Sequence, residues 1–127
     1  MKQSIVTGMG EALWDMLPEG KKILENLRDK SLKGLIERTD FPTGSVEVEV
    51  NEKGIPCYNI REDVAWDHIP FTPQTAELAR QTQAICFGSL AQRHPASRST
   101  IHRFLDTMPD GDGQYKLFDI NLRQGFY

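Results

Sequence analysis

Near the end of the chain, in FDINLRQGFY, Asp119, Asn121 and Arg123 alternate directly after an apolar run. Alternation in an extended segment sends every second side chain to one side. An acid, an amide and a guanidinium together can hold a polar or anionic ligand. A carboxylate accepts hydrogen bonds from hydroxyls, and arginine grips phosphate or carboxylate through two parallel bonds. A second polar set, from Gly88 and Ser89 to Arg93, follows another apolar run, AICF. A plainer assignment also stands, because Asp and Asn at strand ends often cap turns.

The elements that position these residues can be read from periodicity. Ala84–Phe87 is a continuous apolar run closed by Gly88-Ser89, the pattern of a buried parallel strand. Within residues 95–108, Ile101, Phe104, Leu105 and Met108 follow helical spacing from Pro95, with Ser97 or Ser99 as the expected cap. Pro109 and the turn Asp110-Gly111-Asp112-Gly113 end that helix, and KLFDI, Lys116–Ile120, reads as a second buried strand. Residues 84–120 therefore form a βαβ unit with parallel strands and a right-handed crossover. Ligands of such sheets sit beyond the carboxyl ends of the strands, where both polar sets fall.

Upstream, SIVT reads as a first strand, residues 23–32 as a short amphipathic helix, and Leu35-Ile36 as the start of another extended piece. Residues 45–50 alternate Val46, Val48 and Val50 with Glu47 and Glu49. Asn51-Glu52-Lys53-Gly54 makes the turn, and residues 56–60 return. Such a hairpin, apolar on one face and acidic on the other, is built to lie over something. Thr72-Pro73 starts a helix that runs to about Gln81.

Bulk properties narrow the function. The 127 residues suffice for one domain, and the composition, 39% hydrophobic and 26% charged, is that of a globular protein. A net charge of -3 and a pI near 5.6, with scattered Lys and Arg, argue against nucleic acid and a membrane surface as partners. No apolar stretch approaches the roughly 20 residues of a membrane span. Cys57 and Cys86 lack metal or redox spacing and read as buried or half-buried thiols of a reducing, cytoplasmic compartment.

Other motifs fall short of their chemistry. TGMGEAL has two glycines of a dinucleotide fingerprint and not the third. The DGDG segment resembles a calcium loop, but Asn121 stands where the bidentate Glu belongs. His68, His94 and His102 have no metal-ligand spacing with the cysteines, and Ser89 lacks a hydrolase frame.

Five strings in order resemble the ribokinase-like (PfkB) carbohydrate kinases, most closely the fructokinase branch. VTGMGEALWDMLP is similar to the first strand of that branch, FPTGSVEVEVNEKGIPCYNI to its β-hairpin lid, and EDVAWDHIPF to the return from the lid. CFGSLAQR and FDINLRQGFY resemble its two central strand ends. The resemblance implies an α/β fold: a partial ribokinase-like three-layer (αβα) sheet with a lid hairpin at about 43–66. It implies that Asp15 bonds sugar hydroxyls and that Gly88 and Ser89 floor the sugar site near Arg93. Asn121 and Arg123 would stand at its mouth, toward the transferred phosphate. ATP and Mg2+ are the implied cofactors, a small-molecule sugar the substrate, and a homodimer through the lid the expected assembly.

Two departures qualify these expectations. The glycine-rich GGAxxN segment of the family is absent, and MLPEGKK runs directly into the helix before the lid, as if a block were missing at about Lys22/Ile23. The GAGD segment, which supplies the catalytic base and anion hole, does not occur, nor does the nucleotide site. The expectation is the sugar-binding part of a fructokinase-like phosphotransferase, inactive as this chain and ending at Tyr127 before the family's ATP half. Two other readings stand beside it: a non-catalytic interaction or dimerisation module that uses the hairpin, and a degenerate gene remnant.

Overall fold

A computed structural model of the chain describes residues 4–11, 13–15, 27–30 and 32–126. Two compact units are present, one of residues 1–11 and 67–127 and the other of residues 12–66.

The first unit is built on three parallel strands: β1 (Ile5–Met9), the central β5 (Thr82–Gly88) and β6 (Tyr115–Asp119). Two helices accompany them, α1 (Pro73–Gln81) and α2 (Pro95–Thr107). The start of α1 follows from its sequence. Pro73 sits in the first turn, where its missing N–H costs nothing, and Thr72 Oγ1 accepts the Thr75 N–H at 3.2 Å.

Neither serine caps α2. Pro95 at its first turn moves the capping position to His94, whose Nδ1 accepts the Ala96 N–H at 3.2 Å. Ser97 is instead fully buried, and its Oγ accepts the Ile69 N–H at 2.9 Å. Thr100 Oγ1 donates to the Ile69 carbonyl at 2.6 Å, so both polar groups of that connecting residue are tied to α2.

Pleating divides the sheet residues between two faces. Ile85 and Phe87, with Met9 on β1, meet Ala79, Phe104, Leu105 and Met108 of the two helices in one apolar core. The Thr7 and Thr82 hydroxyls bond at 2.8 Å beside it, satisfying two buried polar groups. The opposite face is uncovered among the described residues. Val6 is 75% exposed, Tyr115 63% and Leu117 54%, and Cys86 between them is exposed, as is Cys57 on β4, so neither thiol is buried as expected.

Every residue of β6 is exposed, so the expectation of a second buried strand fails. An apolar run signals burial on both faces, but among the described residues this strand lies at the sheet edge with β5 alone beside it. Phe118 still stacks on Phe87, with ring centroids 5.2 Å apart. The DGDG segment is a turn: Gly111 and Gly113 both have positive φ, and Lys116 pairs with Asp110 at 3.2 Å.

The second unit contains β2 (Leu13–Asp15), β3 (Gly44–Val50) and β4 (Pro56–Ile60). β3 and β4 form the expected antiparallel hairpin, with Val46, Val48 and Val50 opposite Ile60, Tyr58 and Pro56. Its turn is closed by the Asn51 side chain, which accepts the Lys53 and Ile55 N–H groups at 2.9 Å each, while Gly54 takes φ 75°. At the base, Ala65 N–H donates to the Pro42 carbonyl at 2.7 Å, joining the chain entering the hairpin to the chain leaving it.

β2 runs parallel to β3, which places Asp15 opposite Val46. Leu35-Ile36 forms no strand. Of the helix expected over 23–32, residues 27–29 are helical, and 23–26 and 31 lie outside the described residues. The apparent missing block at Lys22/Ile23 lies outside them as well. No described helix is long and apolar enough to cross a membrane.

Phe104→Ala should lower stability by about 3–5 kcal/mol, since it empties the centre of a closed core. Leu117→Ser on the bare face should stay within about 0.5 kcal/mol. Denaturant unfolding of the two variants checks both.

Candidate functional site

The carboxyl ends of β5 and β6 lie side by side, with Gly88 opposite Asp119 in the ladder. From there the two chains remain joined. Ser89 N–H donates to the Asp119 carbonyl at 3.0 Å, and Asn121 N–H donates to Ser89 Oγ at 2.8 Å. Ser89 is buried, so its hydroxyl is a structural tie between two strand ends 32 residues apart in sequence. The tying side chain is thus Ser89 and not the Asp or Asn expected to cap a turn, and the bond fixes where Gly88 and Asn121 stand.

After Ser89 the chain enters a 3-10 turn, Leu90–Gln92, which is held from several sides. Gln92 N–H bonds to the Ser89 carbonyl at 2.9 Å, and the Gln92 side chain donates to the Gly88 carbonyl at 2.9 Å. Arg98, one turn into α2, donates from Nε to the Gln92 carbonyl at 2.8 Å. In the loop between β5 and α2, most carbonyls therefore accept bonds from the loop itself or from Arg98. Its shape is set by its own side chains.

Arg93 ends this turn, and sequence reasoning did not foresee its partner. Its Nε and Nη2 each lie 2.8 Å from an oxygen of Asp67, in a two-pronged ion pair. The Arg93 side chain is 5% exposed and that of Asp67 1%. Phe126 lies against the guanidinium, its ring centroid 4.6 Å from Cζ. One buried group thus joins the 3-10 turn Ala65–His68, the loop after β5 and the segment after β6.

The signal in the sequence is an acid, with His68 beside it, inside the mostly apolar string AWDHIPF. A buried carboxylate needs a cation, but nothing in the string says which of the arginines supplies it. Beside the pair, the rings of His68 and His94 lie 4.5 Å apart.

Of the residues singled out in the sequence, Gly88, Ser89 and Asn121 are brought together by these bonds. Arg93 adjoins them in the chain, with its guanidinium engaged by Asp67. Arg123 is exposed, and Gln124 behind it takes a positive φ of 51° that turns the chain toward Phe126. The alternation of Asp119, Asn121 and Arg123 is therefore not one strand face, because β6 ends at Asp119. Asp15 belongs to the other unit, on β2. Among the described residues, no three His, Cys, Asp or Glu side chains converge as a metal site would require.

No family model and no curated protein matches the sequence. Solved structures do. A sugar kinase from Pyrococcus horikoshii, uncharacterized and in complex with ATP, superposes with a TM-score of 0.72 at 16% identity over 94% of this chain. The chain shares its fold with sugar kinases. A second structure of the same Pyrococcus protein gives 0.72 at 15% identity, and a fructokinase from Vibrio cholerae in its apo form gives 0.60 at 14%. The α/β architecture expected from the sequence is the one these sugar kinases share with the chain. The chain spans about half the length of these kinases, 54%, 56% and 55% respectively.

Ser89→Ala removes the acceptor of the Asn121 N–H and should cost about 1–2 kcal/mol. Faster amide hydrogen exchange at Asn121 would accompany the loss, and unchanged exchange there would contradict the tie. His94→Ala should cost about 1 kcal/mol through loss of the α2 cap, and His94→Asn, which can cap, should restore most of it.

Proposed function

We propose that the chain is the sugar-recognition part of an ATP-dependent carbohydrate kinase with a fructose-like substrate, of cytoplasmic location. The reading is carried by one observation: the strand ends that hold Gly88, Ser89 and Asn121 belong to a fold shared with sugar kinases over 94% of the chain. In parallel α/β sheets this is where ligands bind.

In this reading Gly88 and Ser89 form the floor, and the Asn121 amide and the Arg123 guanidinium face the sugar and the phosphate to be transferred. Asp15 accepts hydrogen bonds from sugar hydroxyls, and Arg93 holds the floor in place. The hairpin β3–β4 acts as a lid that excludes water, which a kinase requires to avoid hydrolysing its nucleotide. In this reading residues 1–127 are an incomplete PfkB-type kinase domain.

ATP with Mg2+ would supply the phosphoryl group and neutralise its charge. The described residues offer neither a converged metal-binding set nor a phosphate-cradling glycine loop, and the sequence holds no GAGD segment for base and anion hole. No phosphoryl-transfer step is therefore assigned to these residues, and the chain alone binds sugar without turning it over.

A second reading is favoured by the hairpin itself. Ile55, Val48, Val50 and Tyr58 are all exposed, enough apolar surface for self-association or docking on a longer kinase. Light scattering after size exclusion separates the two, because a strictly monomeric chain that ignores such a kinase removes the docking reading.

Isothermal titration of the chain with fructose should show binding, and Asn121→Ala and Arg123→Ala should each weaken it about tenfold, the loss of roughly 1.4 kcal/mol. A coupled assay should detect no ADP release. Fructose-dependent turnover of ATP by the purified chain would overturn the assignment as a binding part, and absence of any sugar binding would overturn the whole reading.

A further inference from the structure

We propose that Asp67 is a positioning residue of the candidate site: through the Arg93 guanidinium, and with Phe126 against that group, it fixes the two strand-end segments that carry Gly88, Ser89, Asn121 and Arg123. The inference rests on the sugar-binding reading for its purpose, and on geometry alone for its content.

The argument begins with what Arg93 can still do. Two of its nitrogens lie 2.8 Å from the two oxygens of one carboxylate, and the pair is almost fully removed from water. A planar fork held this way has no freedom to swing toward a ligand. Its charge is matched by Asp67, so it adds little field at the site. Anion recognition then falls to Arg123, which is exposed at the end of the Asn121 segment.

What Arg93 does instead is join three segments. Asp67 comes from the short helix Ala65–His68, Arg93 from the loop after β5, and Phe126 from the chain after β6. The last two segments also carry the Ser89–Asn121 bond. That bond closes the near end of the strand-end shelf, next to the sheet. The Asp67–Arg93–Phe126 stack closes the far end. Between the closures lie residues 89–93 on one side and 121–126 on the other. With one closure lost, Asn121 stays tethered by a single N–H and Arg123 loses the turn behind it.

Amide hydrogen exchange on the full 127-residue chain tests this without a ligand. The quantity to follow is protection at Ser89 and Asn121 relative to Ile85 in the centre of the sheet. Arg93→Lys keeps the charge and replaces the fork with a point contact. It should lower relative protection at Ser89 and Asn121 tenfold or more, and Phe126→Leu should do so to a smaller degree. Asp67→Asn should act as Arg93→Lys does. Should that variant fail to fold, the lysine and leucine variants decide the matter.

If Ser89, Asn121 and Ile85 lose protection in step, the pair is only a stability element and the proposal is overturned. Unchanged exchange overturns it too. Where the unaltered chain binds fructose, Arg93→Lys should also weaken binding about tenfold under conditions in which both chains are fully folded. Should that chain bind no sugar, the sugar-binding reading fails, while the exchange ratio still decides whether Asp67 positions the shelf.

Discussion

The strand-end loops depend on the buried fork between Asp67 and Arg93. Removing two ions from water is costly, and their attraction repays it only when geometry is good and the remaining hydrogen-bonding groups are satisfied. Here the two planar groups meet edge to edge, and an aromatic ring closes one face of the guanidinium. Apolar side chains of similar volume often pack as stably, but they do not fix a direction. The fork admits one relative placement of residues 67 and 93. The turn between β5 and α2 is built around that placement, with Arg98 and Gln92 holding its carbonyls.

Much of this was legible in the sequence wherever a local rule was sufficient. Thr72-Pro73 specified the start of α1 because both the cap and the fixed φ lie within two residues. The valine–glutamate alternation and the Asn51–Gly54 turn specified the hairpin register. The βαβ order specifies that Gly88 and Asp119 stand at adjacent strand ends.

Failures came where the deciding partner was distant. KLFDI has the composition of a buried strand, but burial depends on what else packs against it, and β5 is its one described strand neighbour. Serines cap well, which points to Ser97 or Ser99 for α2, but Pro95 in the first turn puts the cap at His94. The role of Arg93 was hidden for the same reason. Its partner lies 26 residues away, and pairing of charges at that distance leaves no periodic trace.

The uncovered sheet face bears on how the fold should be viewed. Parallel sheets occur almost only with both faces covered, and in this chain α1 and α2 pack against one. The kinases that share its fold are nearly twice as long. Val6, Tyr115 and Leu117 are therefore apolar positions in the place where such a fold is normally covered. The strand-end shelf, by contrast, draws all its described ties from within the chain.

That independence has a kinetic side. The hydrogen bond between Ser89 and Asn121 closes a loop of 32 residues, whereas the one joining Thr7 and Thr82 closes 75. The longer closure costs under about 1 kcal/mol more in chain entropy, a small difference for stability but one that acts directly on the search for the native pairing. The β5–α2–β6 segment is thus expected to assemble before β1 finds its edge. The strand ends of β5 and β6 are then joined before the sheet is complete, and the first strand docks onto an edge that is already paired on its other side.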